Sequence, residues 1–308
     1  MKGRAMRFLR IMRPSHWSKN IFVFAALVFG QRLSGTPREV FWAIGGAVGG
    51  FLCFCLASSA VYIFNDIMDR KTDMLHPEKR HRPIASGAVG LAWAMALSVL
   101  CAAAALVGSF VLDGGLGKII VGYLVLIVLY SVALKRVMIL DCVIISIGFC
   151  LRAVAGAVVV KVSISPWLII CTFALCLFLA FGKRRSEIAQ LGENGEHFRE
   201  TLGGYTPELL AHMLDVTSGL AIVCFLLYAT DERTVAIFTD KLIYTTPVVL
   251  YCIFRFSALV QKGKFSGPVQ LILHDLPFQI GFVLWCLLCI GIVYADKLGI
   301  DWGSVLAY

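Results

Sequence analysis

The chain has 308 residues, of which 59% are hydrophobic and only 15% charged, with a mean hydropathy of +0.84. Soluble domains carry roughly a quarter charged residues, so one soluble core cannot hide this much apolar side chain and the surplus must face lipid. Disorder, collagen-like repeats and coiled coils are excluded by the same composition, and the net charge of +9 does not make a nucleic-acid binder because its basic residues lie in loops between apolar runs.

In chain order, nine apolar runs are predicted to cross the membrane: 15–33, 43–64, 91–112, 118–134, 139–160, 166–182, 216–230, 242–260 and 278–295. The fold class is all-α, a polytopic membrane helical bundle, read as one embedded domain over 1–308. Numbering the loops alternately puts most of the Lys and Arg on the N-terminal side, among them Arg13, Lys19, Arg70, Lys71, Lys79, Arg80, Arg82, Lys135, Arg136 and 183–185. The positive-inside rule then sets the N-terminus in the cytoplasm and the C-terminus outside, in the cell membrane. All six histidines fall on that same side. The basic N-terminal stretch lacks a small-residue cleavage site and is read as retained. The 11 cysteines lie in apolar runs and are read as small hydrophobes, Cys286 and Cys289 included.

Three loops on the basic side are substantial, at 65–90, 183–215 and 261–277, and a short interfacial helix is expected within 183–215. The second run ends in Asn65-Asp66-Ile67-Met68-Asp69-Arg70-Lys71-Thr72-Asp73. On a helix, residues 65, 69 and 73 share one face. Stacked acids repel unless a cation sits among them. Oxygen-only ligands favour Mg²⁺, which is commonly completed by substrate phosphates, so a diphosphate ligand is implied. The alternative is a solvated acidic helix end paired with Arg70 and Lys71. A basic stretch follows at once, His76-Pro77-Glu78-Lys79-Arg80-His81-Arg82-Pro83. Beside the acids it suits phosphate oxygens; taken alone it would be an ordinary cytoplasmic loop.

Two arginines lie within apolar runs. Arg152 is more than ten residues into its run, where an unpaired charge costs about 3 kcal/mol, and a polar pocket is the favoured explanation. Arg255 is near a run end, with snorkelling and a pocket role equally open. Asp141 is either a pocket residue or a partner of Lys135. His16 and His81 suit interfacial or hydrogen-bonding roles better than that of a catalytic base, and Trp17 suits a membrane-boundary anchor.

Asn-Asp-x-x-Asp-x-x-x-Asp at the end of the second run resembles the first aspartate-rich motif of the UbiA superfamily of intramembrane prenyltransferases. Further stretches resemble its decaprenyl-phosphate phosphoribosyltransferase branch: Arg13-Pro14-Ser15-His16-Trp17-Ser18-Lys19-Asn20, the 76–87 run, Tyr130-Ser131 through Lys135 to Asp141, Gly148-Phe149-Cys150-Leu151-Arg152-Ala153-x-x-Gly156, Phe181-Gly182-Lys183-Arg184 and Tyr205-Thr206. The resemblance runs from about residue 10 to Gln279.

It implies a UbiA-like helical bundle with a cytoplasmic pocket, and Mg²⁺-dependent transfer of phosphoribosyl from 5-phosphoribosyl 1-diphosphate to a polyprenyl phosphate. Asn65, Asp66, Asp69 and Asp73 are then the metal-binding and catalytic set. Lys19, Tyr62, Lys79, Arg82, Lys135 and Arg152 are expected to hold the donor, and Lys183 and Arg184 the lipid phosphate. Asn20, Arg80, Asp141 and Glu187 belong to the site without an assigned role. Superfamily members that move prenyl groups to aromatic acceptors carry a second acidic motif after the sixth run. This chain reads Lys183-Arg184-Arg185-Ser186-Glu187 there, which suits an anionic acceptor better than a second metal. Such a prenyltransferase is the alternative, and a transporter or lipid-binding protein without chemistry is a third reading; no half-repeat supports it. The implied product would feed cell-envelope pentose lipids, and a homo-oligomer is compatible with the sequence.

Overall fold

The computed structural model describes residues 9–75, 77, 79–191, 203–238, 240–263 and 268–294. Every described element is a helix. A 3-10 helix spans Pro14–Phe24, followed by α1 (Ala25–Phe29), α2 (Pro37–Met68), α3 (Arg70–Leu75), α4 (Leu91–Leu112), α5 (Gly114–Val132) and α6 (Leu140–Val160). Then come α7 (Pro166–Leu191), α8 (Pro207–Thr230), α9 (Glu232–Phe238), a 3-10 turn at Asp240–Thr245, α10 (Thr246–Gln261), α11 (Pro268–His274) and α12 (Leu276–Val293).

Eight stretches among the described residues are long and apolar enough to cross a membrane: α2, α4, α5, α6, α7, α8, Asp240–Gln261 and α12. The chain is a multi-pass integral membrane protein. The remaining expected crossing, 15–33, instead begins as 3-10 helix and continues for only one short α-helix. Its start explains part of the difference. Arg13 is left-handed, with φ 53° and ψ 61°, and a residue before proline is disfavoured in the α region. Another boundary moves because polar residues hide it. α8 begins at Pro207, well before the expected 216, with Glu208, His212 and Asp215 inside it. Thr206 caps it, accepting from the Leu209 backbone N–H at 3.1 Å. Of the 183–215 stretch in which an interfacial helix is expected, 183–191 continue α7 and 207–215 open α8, and 192–202 lie outside the described residues, as do His76 and Glu78 of the basic loop.

The chain divides into two compact units, 1–27 with 41–163 and 28–40 with 164–308. In the first, Val23, Phe54, Tyr123, Leu116, Ile120 and Ala155 form a buried cluster between the 3-10 helix, α2, α5 and α6. Gly156 allows the close approach of α6 to the 3-10 helix, since a Cβ there would run into the Val23 backbone carbonyl. In the second, Phe225, Tyr228, Leu242, Cys289 and Val293 pack together. Gln31 donates to the Val293 carbonyl at 2.8 Å, and Arg255 grips Asp275 through two nitrogens at 3.1 and 2.8 Å. Arg255 therefore has a structural partner, and Asp275 also caps α12 through the Phe278 N–H at 2.9 Å. All eleven cysteines are free thiols.

Candidate active site

The end of α2 and the short α3 carry the acidic residues, and three separate segments bring cations to them. Asp66 is 4% exposed and accepts from Arg13 at the head of the 3-10 helix. Its same Oδ1 accepts from Arg82 Nη1 at 3.1 Å, and that nitrogen also donates to Asp73 Oδ2 at 2.7 Å. A chain Arg13–Asp66–Arg82–Asp73 thus alternates in charge. Asp69 is more open, its side chain 30% exposed, and pairs with Lys135 from the 3-10 turn between α5 and α6. Asn65 donates to Asp69 Oδ2 at 2.8 Å and accepts from Lys135 Nζ at 3.5 Å.

Asp73 lies beyond the membrane-spanning part of α2. Burial pushes its carboxyl above the ordinary carboxylate range, and the Arg82 guanidinium pulls it part of the way back, with Lys79 acting in the same sense. Lys79 therefore belongs to this neighbourhood. Arg80 is exposed and donates to His81 at 3.4 Å.

A second polar centre sits deeper in the same unit. Arg152 is buried, and each of its guanidinium nitrogens has a partner: Asn20 Oδ1 at 2.7 Å, the Gly148 carbonyl at 2.6 Å and the Tyr123 hydroxyl at 2.9 Å. Phe54, Tyr123 and Phe149 lie 4.8–5.5 Å from its charge, within cation–π range. Asn20 also donates to Ser58 at 3.2 Å and toward the Cys55 sulfur at 3.4 Å. Where the sequence favours a polar pocket around Arg152, the structure surrounds its guanidinium with protein partners. Lys19 sits in the positive field of Arg152 and Arg13. Tyr62 faces Arg13, 5.5 Å from guanidinium to ring centre, and His16 edge-on at 5.3 Å. Trp17 is tied down, donating to Ser59 at 3.0 Å. Asp141 is fully buried in the first turn of α6.

Lys183, Arg184 and Glu187 belong to the second unit. Glu187 accepts from Arg184 at 2.6 Å and stands 3.7 Å from Lys183. Arg184 is only 1% exposed while Lys183 is half open, so the two cations differ in access. Arg13 was absent from the sequence-based set of site residues, although it stands in the 13–20 motif. Its signal was Arg-Pro at the start of an apolar run, which gives no hint of a partner 53 residues away.

The oxygen donors suit a hard cation such as Mg²⁺. Among the described residues, no three His, Cys, Asp or Glu side chains gather around one point. A wholly protein-built cage is therefore not what the acids make. One or two carboxylates completed by substrate phosphates is the usual Mg²⁺ arrangement, and Asn65 with the accessible Asp69 fits it.

The chain is thus a multi-pass helical membrane protein with acids and cations paired at the end of α2. The model of the UbiA prenyltransferase family matches residues 20–189, and the chain belongs to that family. It is a transferase. It is 32% identical over 293 residues to the decaprenyl-phosphate phosphoribosyltransferase of Mycolicibacterium smegmatis, covering 92% of this chain and 91% of that protein. The enzyme of the same name from Mycobacterium tuberculosis is 30% identical over 280 residues, covering 90% and 91%. A UbiA homologue from Archaeoglobus fulgidus bound to DMAPP and Mg²⁺ superposes with a TM-score of 0.69 at 17% identity, over 93% of this chain and 99% of that one. That likeness establishes the fold.

Proposed function

We propose that the protein transfers 5-phosphoribosyl from 5-phosphoribosyl 1-diphosphate to a polyprenyl phosphate of the decaprenyl type, releasing diphosphate. The observation that carries this reading is the Asp69–Asn65–Lys135 group: an accessible carboxylate beside an ammonium, able to exchange each other for a metal ion and a phosphate. The names of the relatives point to the same donor and acceptor classes.

Asn65 and Asp69 are the proposed protein ligands of Mg²⁺, with Asp66 and Asp73 setting the charge around them. The chemistry such an ion supplies is neutralisation of the departing diphosphate. Lys135, Lys79, Arg82 and Lys19 hold the donor's phosphates, Tyr62 flanks the ribose, and Arg152 adds positive charge while fixing Asn20. The bond from ribose C1 to the diphosphate oxygen breaks, and an oxygen of the lipid phosphate forms the new bond to C1. That phosphate is already ionised, so the chain needs no strong base and works by positioning and charge stabilisation. Lys183 and Arg184 are proposed to receive the lipid phosphate. The two units are proposed to act as one membrane domain with nine crossings, its N-terminus and site cytoplasmic and its C-terminus outside, supplying cell-envelope pentose lipids.

The test gives purified protein in nanodiscs labelled phosphoribosyl diphosphate and a short polyprenyl phosphate. Mg²⁺-dependent appearance of label in the lipid phase, lost in Asp69→Ala, is expected. The second reading, suggested by the prenyl diphosphate bound to the A. fulgidus homologue, is prenyl transfer to an aromatic acceptor. Label moving from a prenyl diphosphate to an aromatic acid, with none moving from the sugar donor, would replace the first reading by the second.

A further inference from the structure

The 3-10 helix that opens the first unit is seated on one face of α2 by a regular series of contacts. Arg13 pairs with Asp66, His16 meets Tyr62, Trp17 donates to Ser59, and Asn20 reaches Ser58 and Cys55. Asp66, Tyr62, Ser59 and Cys55 are spaced by four, three and four residues, which is one helical stripe. Asp66 is the last member of that stripe. Asn65 and Asp69 lie on the adjacent face, turned toward Lys135.

The backbone at the first contact is unusual. Arg13 is a non-glycine residue in the left-handed region, φ 53°, and Pro14 follows it. Such a conformation persists only where its surroundings over-determine it. Here the Arg13 guanidinium is fixed by Asp66 and by the Tyr62 ring. Asp66 Oδ1 already accepts two guanidinium hydrogens, from Arg13 and Arg82.

We infer that the acidic run is two devices rather than one, and that Arg13 is a positioning residue acting through Asp66. Asp66 and Asp73 hold Arg13 and Arg82 in place. Asn65, Asp69 and Lys135 form the half that exchanges partners when ligands arrive. Arg13 sets the register of the 3-10 helix on α2, and with it the placement of Lys19 and Asn20. This rests on the proposed phosphoribosyl transfer for its kinetic readout, but its structural core does not.

The test uses the full chain in nanodiscs with Arg13→Lys, Arg13→Gln, Asp66→Asn, Asp69→Asn and the double variant Arg13→Gln/Asp66→Asn. Three quantities are read: the midpoint of thermal unfolding without ligand, Mn²⁺ binding by EPR in the presence of inorganic diphosphate, and KM and kcat with phosphoribosyl diphosphate. Arg13→Gln should raise KM about tenfold with kcat within about threefold, the signature of lost donor placement. Its Mn²⁺ affinity should stay within about twofold, whereas Asp69→Asn should lose at least about tenfold. The double variant should unfold no earlier than the worse single variant, because both remove one interaction. Arg13→Lys should recover part of the KM loss, and it decides the matter if Arg13→Gln does not fold. Additive unfolding effects, an unchanged KM in Arg13→Gln or Arg13→Lys matching wild type would overturn the positioning role. Mn²⁺ binding weakened as much by Asp66→Asn as by Asp69→Asn would make Asp66 a metal ligand instead. Were wild type to transfer no phosphoribosyl at all, the functional proposal would fall, while the unfolding and Mn²⁺ arms would still decide the division of the acids.

Discussion

The first unit carries ion pairs at both ends of its α4–α6 helices, and the two ends use the same residue types for different ends. At the α4–α5 joint, the single residue Asp113 closes one helix and caps the next, accepting from the Gly115 and Leu116 N–H groups at 2.7 and 3.1 Å. Lys161 completes it from the end of α6 with a side chain that is 70% exposed. An exposed pair of this kind contributes at most about 1 kcal/mol, and its role is to stop and restart a helix. At the opposite end, Asp66 and Asp73 are buried and take their cations from two other segments, Arg13 from before the 3-10 helix and Arg82 from the loop after α3. Removing such charges from water costs several kcal/mol per ion, which packing alone would not require. The difference teaches that the acidic end is maintained against stability, as binding sites are, while the Asp113 end is maintained for it.

Two substitutions should separate the ends most sharply. Asp69→Ala is expected to lower transfer activity by at least about 10²–10³-fold, since it removes charge from the reacting centre. Asp113→Ala should leave activity within about threefold and cost only the cap and pair, about 1–2 kcal/mol together. Label transfer and thermal unfolding, measured side by side, check both; equal losses of activity would erase the distinction. Next in size is Gly156→Ala. Its methyl group meets backbone, the Val23 carbonyl, which cannot swing away as a side chain would. The 3-10 helix must shift, and a displacement of about 1 Å at a catalytic site can cost about 100-fold in rate. Gly122→Ala, where a Cβ meets nothing within 4 Å, should be silent in the same assay.

Which parts of this were legible in the sequence follows from whether the cause is local. Apolar runs announce membrane helices because hydropathy is a property of the run itself, and eight of them stand as such. The 15–33 run is less apolar than these, carrying His16, Lys19, Asn20, Gln31 and Arg32, and its geometry is set also by contacts from Trp17 and Asn20 to α2, which no window of sequence contains. The acidic residues were legible from their spacing, and so was the likelihood of cations beside them from the 79–82 run. Their division was not, because it depends on Arg13 and Lys135 arriving from 53 and 66 residues away. Arg152 was legible as a charge needing polar company. That its company is Asn20, Tyr123 and a carbonyl rather than a carboxylate is a matter of packing.

The smallest expected effect is a difference in sign. Asp113 and Asp73 both lie outside the membrane-spanning helices, and their surroundings move them in opposite directions. The Lys161 ammonium donates to Asp113 and holds its carboxyl below the ordinary range, and the Leu116 and Gly115 N–H groups add to this. Its contribution to stability is therefore present above the ordinary carboxylate range and lost as pH falls through the lowered value. Burial raises Asp73, so the folded chain holds that proton more tightly than the unfolded chain does. Its contribution is fullest below the ordinary range and is lost as pH rises through the raised value. Unfolding midpoints of wild type, Asp113→Asn and Asp73→Asn from pH 3 to 7 should accordingly diverge (about one carboxylate's titration range on either side of its usual value). The advantage of wild type over Asp113→Asn should grow with pH, and its advantage over Asp73→Asn should shrink. Two slopes of the same sign would mean that Asp73 is governed by its arginine rather than by its burial, and that the two ends of the unit differ in depth but not in electrostatic character.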